Sequence, residues 1–211
     1  MGFSVLILGK SGQGKSTSMR NFKPGEIGIF NTIGKPLPFR NKLDMVDHPN
    51  YETIYKSLTA NNKNCYVLDD VGYLLQLENI HRADESGWGK YMNMQAKFAK
   101  ILEAANHTDS NTIVYFMMHP EFDNLGNMKP KTIGKLLDEK LDVAGMFPMV
   151  MIAERAEEGY CFVTQSDGKT PAKTPMGMFE SDRIDNDLKL VDSTIREYYG
   201  MAPLGAAKKE A

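Results

Sequence analysis

Largely apolar runs predict strands that are buried on both faces. The predicted strands are residues 3–8, 26–31, 65–68 and 111–118. The segments around them place apolar side chains at the three- and four-residue spacing of a helix. The predicted helices are residues 15–22, 51–60, 71–80 and 90–106. Buried strands that alternate with helices are typical of an α/β fold with a mainly parallel sheet flanked by helices.

The rest of the chain carries weaker patterns. Residues 32–50 contain several prolines and glycines and should be irregular, with one short strand at 43–46. Residues 121–132 surround Asn-Leu-Gly-Asn and predict a hairpin or a mobile loop. The later predicted elements are a helix at 133–141, strands at 145–153 and 160–164, and a short helix at 193–199. We therefore expect one domain over residues 1–203 with a β-rich C-terminal edge, and a tail at 204–211.

Composition and charge limit the partners of the protein. Its 211 residues can bury one substantial core, and a net charge of −2 does not favour a generally basic nucleic-acid binder. Any contact with nucleic acid must therefore be local. Cys65 and Cys161 are far apart and lack a C-x-x-C partner, which argues against a zinc site or a disulfide framework. The N-terminal apolar run is too short for a signal peptide or a membrane span, so we expect a soluble, cytoplasmic protein.

Residues 9–16 read Gly-Lys-Ser-Gly-Gln-Gly-Lys-Ser and fit the pattern G-x-x-x-x-G-K-[ST] directly after a predicted strand. Glycines let backbone N–H groups approach a triphosphate closely, and a following helix adds the positive end of its dipole. In this pattern the lysine, Lys15, reaches the β- and γ-phosphates, and the hydroxyl of Ser16 binds magnesium. The predicted binding residues for ATP with Mg²⁺ are Gly9, Lys10, Ser11, Gly12, Gln13, Gly14, Lys15, Ser16 and Thr17. A glycine-rich turn without a ligand is the alternative.

Two acidic residues follow the predicted strand at 65–68. A carboxylate at the C-terminal end of a buried parallel strand lies where α/β sheets bind ligands. Together with the loop, this pattern assigns Asp69 to magnesium binding through water, and Asp70 to orienting or deprotonating the attacking water. Without the loop, paired acids would more often be an ordinary strand-end turn.

A histidine, His119, follows the strand at 111–118 and should lie beside the same loop. Its imidazole could sense the γ-phosphate and report it to the segment that follows, or it could be a hydrogen-bonded structural residue. The predicted catalytic residues are thus Lys15, Asp70 and His119.

The order of these features resembles the core of RecA-type ATPases. A closer resemblance rests on the segments LILGKSGQGKST, GKPLPF, VLDD, TIVYFMMHPE, KTIGKLLDEK and PMGMFE. Together they are similar to phage-encoded P-loop ATPases of the AAA type, over nearly the whole chain. The resemblance implies a RecA-like fold and the use of Mg-ATP. For core-only members it also implies recombination or annealing of single-stranded DNA, during phage DNA recombination or replication in the bacterial cytoplasm.

Two residues depart from the RecA-type pattern. His119 stands where those proteins have a glutamine that couples the γ-phosphate to the second DNA-binding loop, and Asn31 stands where they have a catalytic glutamate. Either Asp70 activates the water in place of that glutamate, or hydrolysis is slow. The second case favours a nucleotide-gated DNA- or protein-binding module with little or no turnover.

The resemblance places two DNA-binding loops at residues 81–90 and 120–131. Binding of single-stranded DNA combines cations along the backbone with flat side chains under the bases. The candidate nucleic-acid contacts are Arg82, Trp88, Lys90, Phe122, Lys129 and Lys131. Trp88 could instead be a partly buried anchor, and the lysines could be ordinary surface residues.

A homo-oligomer is expected because phosphoryl transfer is often assisted by a cation from a neighbouring subunit. The candidates for that cation are Arg155, Lys135 and Lys131. Lys10 also matches the signature lysine of MinD-like dimeric ATPases, although Ser11 replaces the glycine that their motif requires. A small-molecule kinase is disfavoured because Arg82, Arg155 and Arg183 are scattered rather than grouped in a lid.

Overall fold

The computed structural model describes residues 1–133 and 142–206. Its strands are β1 (Phe3–Leu8), β2 (Gly28–Asn31), β3 (Met45–Asp47), β4 (Cys65–Asp69), β5 (Ile113–Met118), β6 (Pro120–Phe122), β7 (Met128–Pro130), β8 (Met149–Ala156), β9 (Gly159–Val163) and β10 (Arg183–Asp185). Its α-helices are α1 (Tyr51–Ala60), α2 (Gly72–His81), α3 (Trp88–Asn106) and α4 (Leu188–Tyr199). Two short 3-10 helices lie at Ser16–Asn21 and Ala144–Met146.

Eight strands form one sheet in the order β10-β9-β8-β1-β5-β4-β2-β3. The neighbouring pairs from β8 to β3 are parallel, whereas β8, β9 and β10 pair antiparallel. This arrangement confirms the predicted α/β class, with a mainly parallel sheet and a β-rich C-terminal edge. Because β1, β2, β4 and β5 run in the same direction, the segments that follow them meet at one edge of the sheet.

Side chains alternate along β1 and divide the core between the two faces of the sheet. Leu6 points to the face covered by α1, α2 and α3, where it joins the cluster that contains Phe98 of α3. Ile7 points to the other face and joins the cluster that contains Ile195 of α4. Each of these side chains is at most 2% exposed. The central strand is therefore buried on both faces, as its nearly continuous apolar sequence predicts.

The loop at residues 9–16, which is the predicted phosphate-binding loop, leads into a 3-10 helix at Ser16–Asn21 that is shorter and tighter than the helix predicted over residues 15–22. Serine and threonine have low helix propensity because their hydroxyl groups compete for backbone partners. Ser18 shows this competition directly, since its hydroxyl donates a 2.5 Å hydrogen bond to the carbonyl of Lys15.

The ambiguous segment at 121–132 contains a hairpin. Strands β6 and β7 pair antiparallel, with Phe122 opposite Met128. The carboxylate of Asp123 accepts hydrogen bonds of 2.8 Å from the backbone N–H groups of Leu125 and Asn127, and Gly126 adopts the positive φ of +81° that the turn requires.

Two later boundaries differ from the sequence-based expectation. The strand predicted at 145–153 begins at Met149, because Asp142 accepts a hydrogen bond from the N–H of Gly145 and a 3-10 helix intervenes. The helix predicted at 193–199 begins at Leu188, where the carboxylate of Asp187 caps it by accepting from the N–H of Lys189. The helix predicted at 133–141 lies outside the described residues, apart from residue 133.

Buried polar contacts fix α4 against the sheet at the edge opposite the phosphate-binding loop. Arg196 is 3% exposed and pairs with the fully buried Asp192 at 2.5 Å. Its guanidinium also donates to the carbonyls of Asn64 and Asn111, which precede β4 and β5. Beyond α4, Leu204 packs on the core, so the first residues of the predicted tail contact the sheet.

A helix that crosses a membrane must be both long and apolar. Within residues 1–133 and 142–206, no helix is both long enough and apolar enough to cross a membrane.

Candidate phosphate-binding site

A cleft of about 260 Å³ opens at the edge of the sheet where the parallel strands end. The phosphate-binding loop after β1 forms one wall, and residues 33–38 after β2 form the opposite wall. Asp69, Asp70 and His119 line the cleft between them, and Tyr160 of β9 lies at one side. The structure therefore brings the three predicted catalytic residues, Lys15, Asp70 and His119, into one cavity.

Two structural constraints require glycine at positions of this loop: a positive φ and the lack of space for a Cβ. Gly12 and Gly14 adopt φ of +77° and +92°, which side chains other than glycine rarely tolerate. A Cβ at Gly9 would lie 2.8 Å from the carbonyl oxygen of Ala153, and one at Gly14 would lie 2.9 Å from the ring of Tyr160. Within the described parts of the chain, the N–H groups of Gly12, Gly14 and Lys15 donate to no backbone carbonyl. These donors fit an anion such as a phosphate group.

The Lys15 side chain is folded back onto its own loop and is only 6% exposed. Its ammonium donates a 2.8 Å hydrogen bond to the carbonyl of Gly9 and lies 3.5 Å from a carboxylate oxygen of Asp70. Burial lowers the pKa of Lys15, and this effect exceeds the opposing influence of Asp70 and Asp69. An anion next to a buried ammonium offsets the cost of burying its charge. The environment of Lys15 therefore suits the binding of a phosphate group.

Two further loop residues connect the loop to neighbouring elements. The side-chain oxygen of Gln13 accepts a 2.7 Å hydrogen bond from the backbone N–H of Arg155 in β8. The ammonium of Lys10 lies 4.9 Å from the centre of the Phe122 ring in the β6–β7 hairpin. Ser11 and Thr17 line the cleft beside them.

Ser16 and Asp69 are in direct contact. The hydroxyl of Ser16 donates hydrogen bonds of 2.8 and 3.1 Å to the two carboxylate oxygens of Asp69. Burial and the neighbouring charge of Asp70 raise the pKa of Asp69 to about 6, even though Ser16, Lys15 and Lys35 act in the opposite direction. An ionised carboxylate in this position is costly without a cation close to it.

Asp70 lies directly after β4 and has φ of +54°, a left-handed conformation that aspartate tolerates better than most residues. One of its carboxylate oxygens lies 3.3 Å from Nε2 of His119 and 3.5 Å from Nζ of Lys15. Burial alone would raise the pKa of Asp70, but the contact with His119 and the charges of Lys15 and Lys35 together lower it. The His119 ring in turn packs edge-on against Tyr73, with the two ring centres 5.6 Å apart.

The oxygen atoms in the cleft fit a magnesium ion. Mg²⁺ prefers one or two protein oxygen ligands and completes its octahedral shell with water and phosphate oxygens. Ser16 and Asp69 offer a hydroxyl and a carboxylate at one point. A buried oxygen of Asp70 has no well-aligned hydrogen-bond donor. The described residues contain no group of three or more His, Cys, Asp or Glu side chains that could hold a metal by themselves.

Sequence reasoning assigned no role in the site to Lys35 or Tyr160, and it treated Asn31 only as a departure from the RecA-type pattern. All three residues line the cleft. Lys35 and Tyr160 come from an irregular segment and from a strand that begins the β-rich edge. Only the fold shows that these segments border the cleft. Arg155 approaches the same place, since its guanidinium lies 5.8 Å from the centre of the Tyr160 ring.

The first predicted nucleic-acid loop is mostly occupied by contacts within the protein. Lys90 is 6% exposed, and its ammonium donates to the carbonyls of Asn79 and Arg82 at the end of α2. We therefore remove Lys90 from the candidate nucleic-acid contacts, because its charge is buried and satisfied. The guanidinium of Arg82 pairs with Glu78 and Glu85. Trp88 remains 69% exposed at the start of α3 and is thus not a buried anchor.

The second loop presents its side chains to solvent. Phe122 is 47% exposed, and Lys131 is also exposed. Lys129 lies 3.2 Å from the carboxylate of Glu121, which offsets part of its charge. The backbone N–H of Lys131 donates a 2.8 Å hydrogen bond to the carbonyl of His119, so the hairpin is joined directly to the cleft. Lys135, one of the cations considered for a neighbouring subunit, lies outside the described residues.

A second and larger groove, of about 630 Å³, lies between α1 and α3. It is lined by Tyr51, Tyr55 and Lys97, and it contains none of the predicted phosphate-binding residues. Cavity size alone would have pointed away from the loop, whereas the converging polar groups point to the smaller cleft.

Solved structures resemble this chain in fold. No protein-family model matches the chain, and no curated protein matches it. The chain is similar in structure to a prototypical ATPase from the type III secretion system of pathogenic bacteria, with a TM-score of 0.44 and 16% identity. The match covers 75% of this chain and 52% of that one, so this chain spans about half of its length. The loop, the acid pair and the parallel sheet that positions them define a P-loop α/β protein.

Proposed function

We propose that this protein binds ATP with Mg²⁺ and hydrolyses it in the cleft at the end of β1, β4 and β5. The observation that carries the proposal is the contact between Ser16 and Asp69, in the same cavity where Lys15 lies 3.5 Å from Asp70. A glycine-rich turn without a ligand would not require a buried lysine, a buried carboxylate beside a half-buried one, and a serine hydroxyl to meet there.

Each residue has a defined role in this proposal. The N–H groups of Gly12, Gly14 and Lys15 bind the phosphates, and the Lys15 ammonium exchanges its contact with Gly9 for the β- and γ-phosphate oxygens. Ser16 and Asp69 hold Mg²⁺, which neutralises charge on the phosphate oxygens when it is bound.

Asp70 orients the attacking water and accepts its proton. Its lowered pKa keeps the carboxylate ionised at neutral pH, and the contact with His119 fixes its direction. The backbone carbonyl of His119 accepts a hydrogen bond from the N–H of Lys131, directly after β7. His119 can therefore report the state of the γ-phosphate to the β6–β7 hairpin.

Steady-state ATP hydrolysis with Mg²⁺ tests the proposal. Lys15→Ala should abolish turnover, because it removes the cation that contacts the β- and γ-phosphates. Lys42→Ala changes an exposed lysine outside the cleft and serves as the matched control. Equal turnover in wild type and Lys15→Ala would show that the activity is not that of this site. Tight nucleotide binding without turnover in the wild type would instead support the nucleotide-gated binding module.

We also propose that the nucleotide state controls binding or annealing of single-stranded DNA through the β6–β7 hairpin, as phage recombination or replication in the host cytoplasm would require. Its support is the contact between Lys10 of the phosphate-binding loop and Phe122, which places an exposed aromatic ring of the hairpin against the site. Such rings stack bases. A homo-oligomer is part of this proposal, with Arg155 or Lys131 as a cation for the neighbouring site.

DNA dependence of turnover tests this coupling. Single-stranded DNA should stimulate hydrolysis in the wild type, and Phe122→Ala should remove the stimulation while turnover without DNA remains. Leu190→Ala removes an exposed apolar side chain on α4 and should leave the stimulation unchanged. Turnover that is indifferent to DNA in the wild type would exclude the DNA coupling and leave ATP hydrolysis as the function.

A further inference from the structure

Lys35 provides a second positive charge to the cleft from the wall opposite the phosphate-binding loop. It follows β2 and lines the same cavity as Lys15, Asp70 and His119. Its ammonium lies 5.9 Å from the centre of the Tyr73 ring, and that ring packs edge-on against His119. The Lys35 side chain is exposed, and it lines the cleft that also contains Asp69 and Asp70.

Asn31 fixes the backbone that carries this lysine. Its side chain is 4% exposed, and its amide group donates hydrogen bonds of 2.8 Å to the carbonyl of Lys35 and 2.6 Å to the carboxylate of Asp47. The amide oxygen accepts a 3.1 Å hydrogen bond from the N–H of Gly34. The backbone carbonyl of Asn31 accepts from Gly34 and also from His48. The polar groups of Asn31 thus bond to the Lys35 loop and to Asp47 and His48 beside it.

The same loop is restrained on both sides of Lys35. Gly34 has φ of +69°, and a Cβ there would lie 2.2 Å from the imidazole of His48. On the other side, Leu37 and Phe39 pack against the hydrophobic core next to α4, and the prolines at 36 and 38 restrict the backbone between them. A lysine held on a restrained loop needs little ordering when an anion arrives, so its charge acts with less entropic cost than that of a free surface lysine.

We propose that Lys35 contacts the γ-phosphate of ATP bound in the same subunit, and that Asn31 is the positioning residue that holds Lys35 there. This inference rests on the proposed ATP site and identifies a cation supplied within the chain. It also gives Asn31 a role different from water activation, because its amide is already engaged by the protein. This contact would make the cleft selective for a nucleoside triphosphate over a diphosphate, because only the triphosphate carries a γ-phosphate.

The test compares binding of ADP and of the slowly hydrolysed analogue ATPγS, with Mg²⁺, by titration calorimetry. Lys35→Ala should leave the ADP affinity within about 2-fold of wild type and weaken ATPγS by roughly 10- to 100-fold, with a similar loss in kcat. Lys35→Arg keeps the charge and should recover most of the ATPγS affinity. Lys42→Ala, an exposed lysine of the same irregular segment, should change neither nucleotide.

The role of Asn31 is tested by non-additivity. Asn31→Ala should lower ATPγS affinity and kcat while ADP affinity is retained. The double variant that combines Asn31→Ala with Lys35→Ala should lose no more ATPγS affinity than Lys35→Ala alone. Additive losses would show that Asn31 acts independently of Lys35 and would overturn its positioning role. A thermal melt of each variant separates this effect from a loss of folded protein.

The outcomes distinguish this inference from the proposed function. If the wild type binds neither nucleotide, the ATP site itself is wrong. If the wild type binds and hydrolyses ATP but Lys35→Ala behaves like Lys42→Ala, or weakens ADP as much as ATPγS, only the role of Lys35 is overturned.

Discussion

The hydroxyl of Ser16 lies 2.8 Å from a carboxylate oxygen of Asp69, and this contact joins the phosphate-binding loop to the end of β4. The two residues are far apart in sequence, yet they place two hard oxygen ligands at one point. The contact gives the loop a fixed position relative to the acid pair. It therefore allows an experimental test of the proposed magnesium site.

Ser16→Ala should raise the Mg²⁺ concentration needed for half-maximal ATP turnover by roughly 10-fold, because it removes one ligand and the group that orients Asp69. The measurement is turnover at fixed ATP over a magnesium titration, with EDTA as the zero point. Ser193→Ala, which removes a hydroxyl on α4 far from the cleft, is the control. An unchanged magnesium dependence in Ser16→Ala would exclude this residue as a ligand.

Asp69→Asn should make the protein more stable in the absence of metal and nucleotide. The pKa of Asp69 is raised from its usual value near 3.8 to about 6, so above pH 6 the folded state holds an unfavourable ionised carboxylate. Neutral asparagine should remove that cost and add about 1–3 kcal/mol to the free energy of unfolding near pH 8.

The gain from Asp69→Asn should shrink as pH falls through 6 and vanish below about pH 3, where the aspartate is protonated in both the folded and the unfolded state. Urea unfolding in EDTA at several pH values measures it. The exposed Asp182→Asn is the matched control and should show no such dependence. A pH-independent gain in Asp69→Asn would rule out the ionised carboxylate as its cause.

Asp70→Asn should retain nucleotide binding and lower kcat by about 100-fold or more, because the amide cannot accept the proton of the attacking water. Asparagine tolerates the left-handed conformation at φ of +54°, so the substitution preserves the backbone. Turnover and ATPγS binding measured on the same preparation separate the two effects. Near-wild-type kcat would show that another group activates the water.

The candidate site was predictable where residue type and spacing together indicate one chemistry. The loop at 9–16 and the acids after β4 are recognisable because a triphosphate requires close backbone approach and magnesium requires oxygen ligands. Their meeting point also follows from the sequence, since parallel strands end at one edge of the sheet.

The opposite wall of the cleft was not predictable from local patterns. Lys35 lies in a segment whose conformation depends on Asn31, His48 and Leu37, and each of these contacts is tertiary. The burial of Lys90 was equally unpredictable, because a lysine between glycine and tyrosine gives no local sign of burial. The conformation of the Lys35 segment and the burial of Lys90 both depend on contacts that form only after the chain has folded.

Lys90→Met should destabilise the fold by about 1–3 kcal/mol and leave any DNA binding unchanged. The ammonium of Lys90 satisfies the carbonyls of Asn79 and Arg82 at distances of 3.0 and 2.6 Å, and methionine would leave both without that donor. Lys100→Met, an exposed position on the same helix, is the control. Weaker DNA binding in a fully folded Lys90→Met protein would return this residue to the nucleic-acid contacts.

Arg196→Met should be among the most destabilising single changes away from the cleft, at about 3–5 kcal/mol, because it leaves Asp192 buried without its counter-charge. Burial already raises the pKa of Asp192 despite Arg196, so the pair is held together at a cost. The removed guanidinium would also leave the carbonyl of Asn111 without this donor, while the carbonyl of Asn64 would keep only the N–H of Ile113. Equilibrium unfolding in urea measures the loss.

The ion pair between Lys189 and Glu26 is the matched control for Arg196, because it joins the same helix to the same face but is partly exposed. Lys189→Met should cost less than about 1 kcal/mol, since solvent screens such a pair. Adding Asp192→Asn to Arg196→Met should recover part of the loss by removing the uncompensated charge. If Arg196→Met costs no more than Lys189→Met, the buried pair does not anchor α4. The edge of the sheet opposite the cleft would then be held by apolar packing alone.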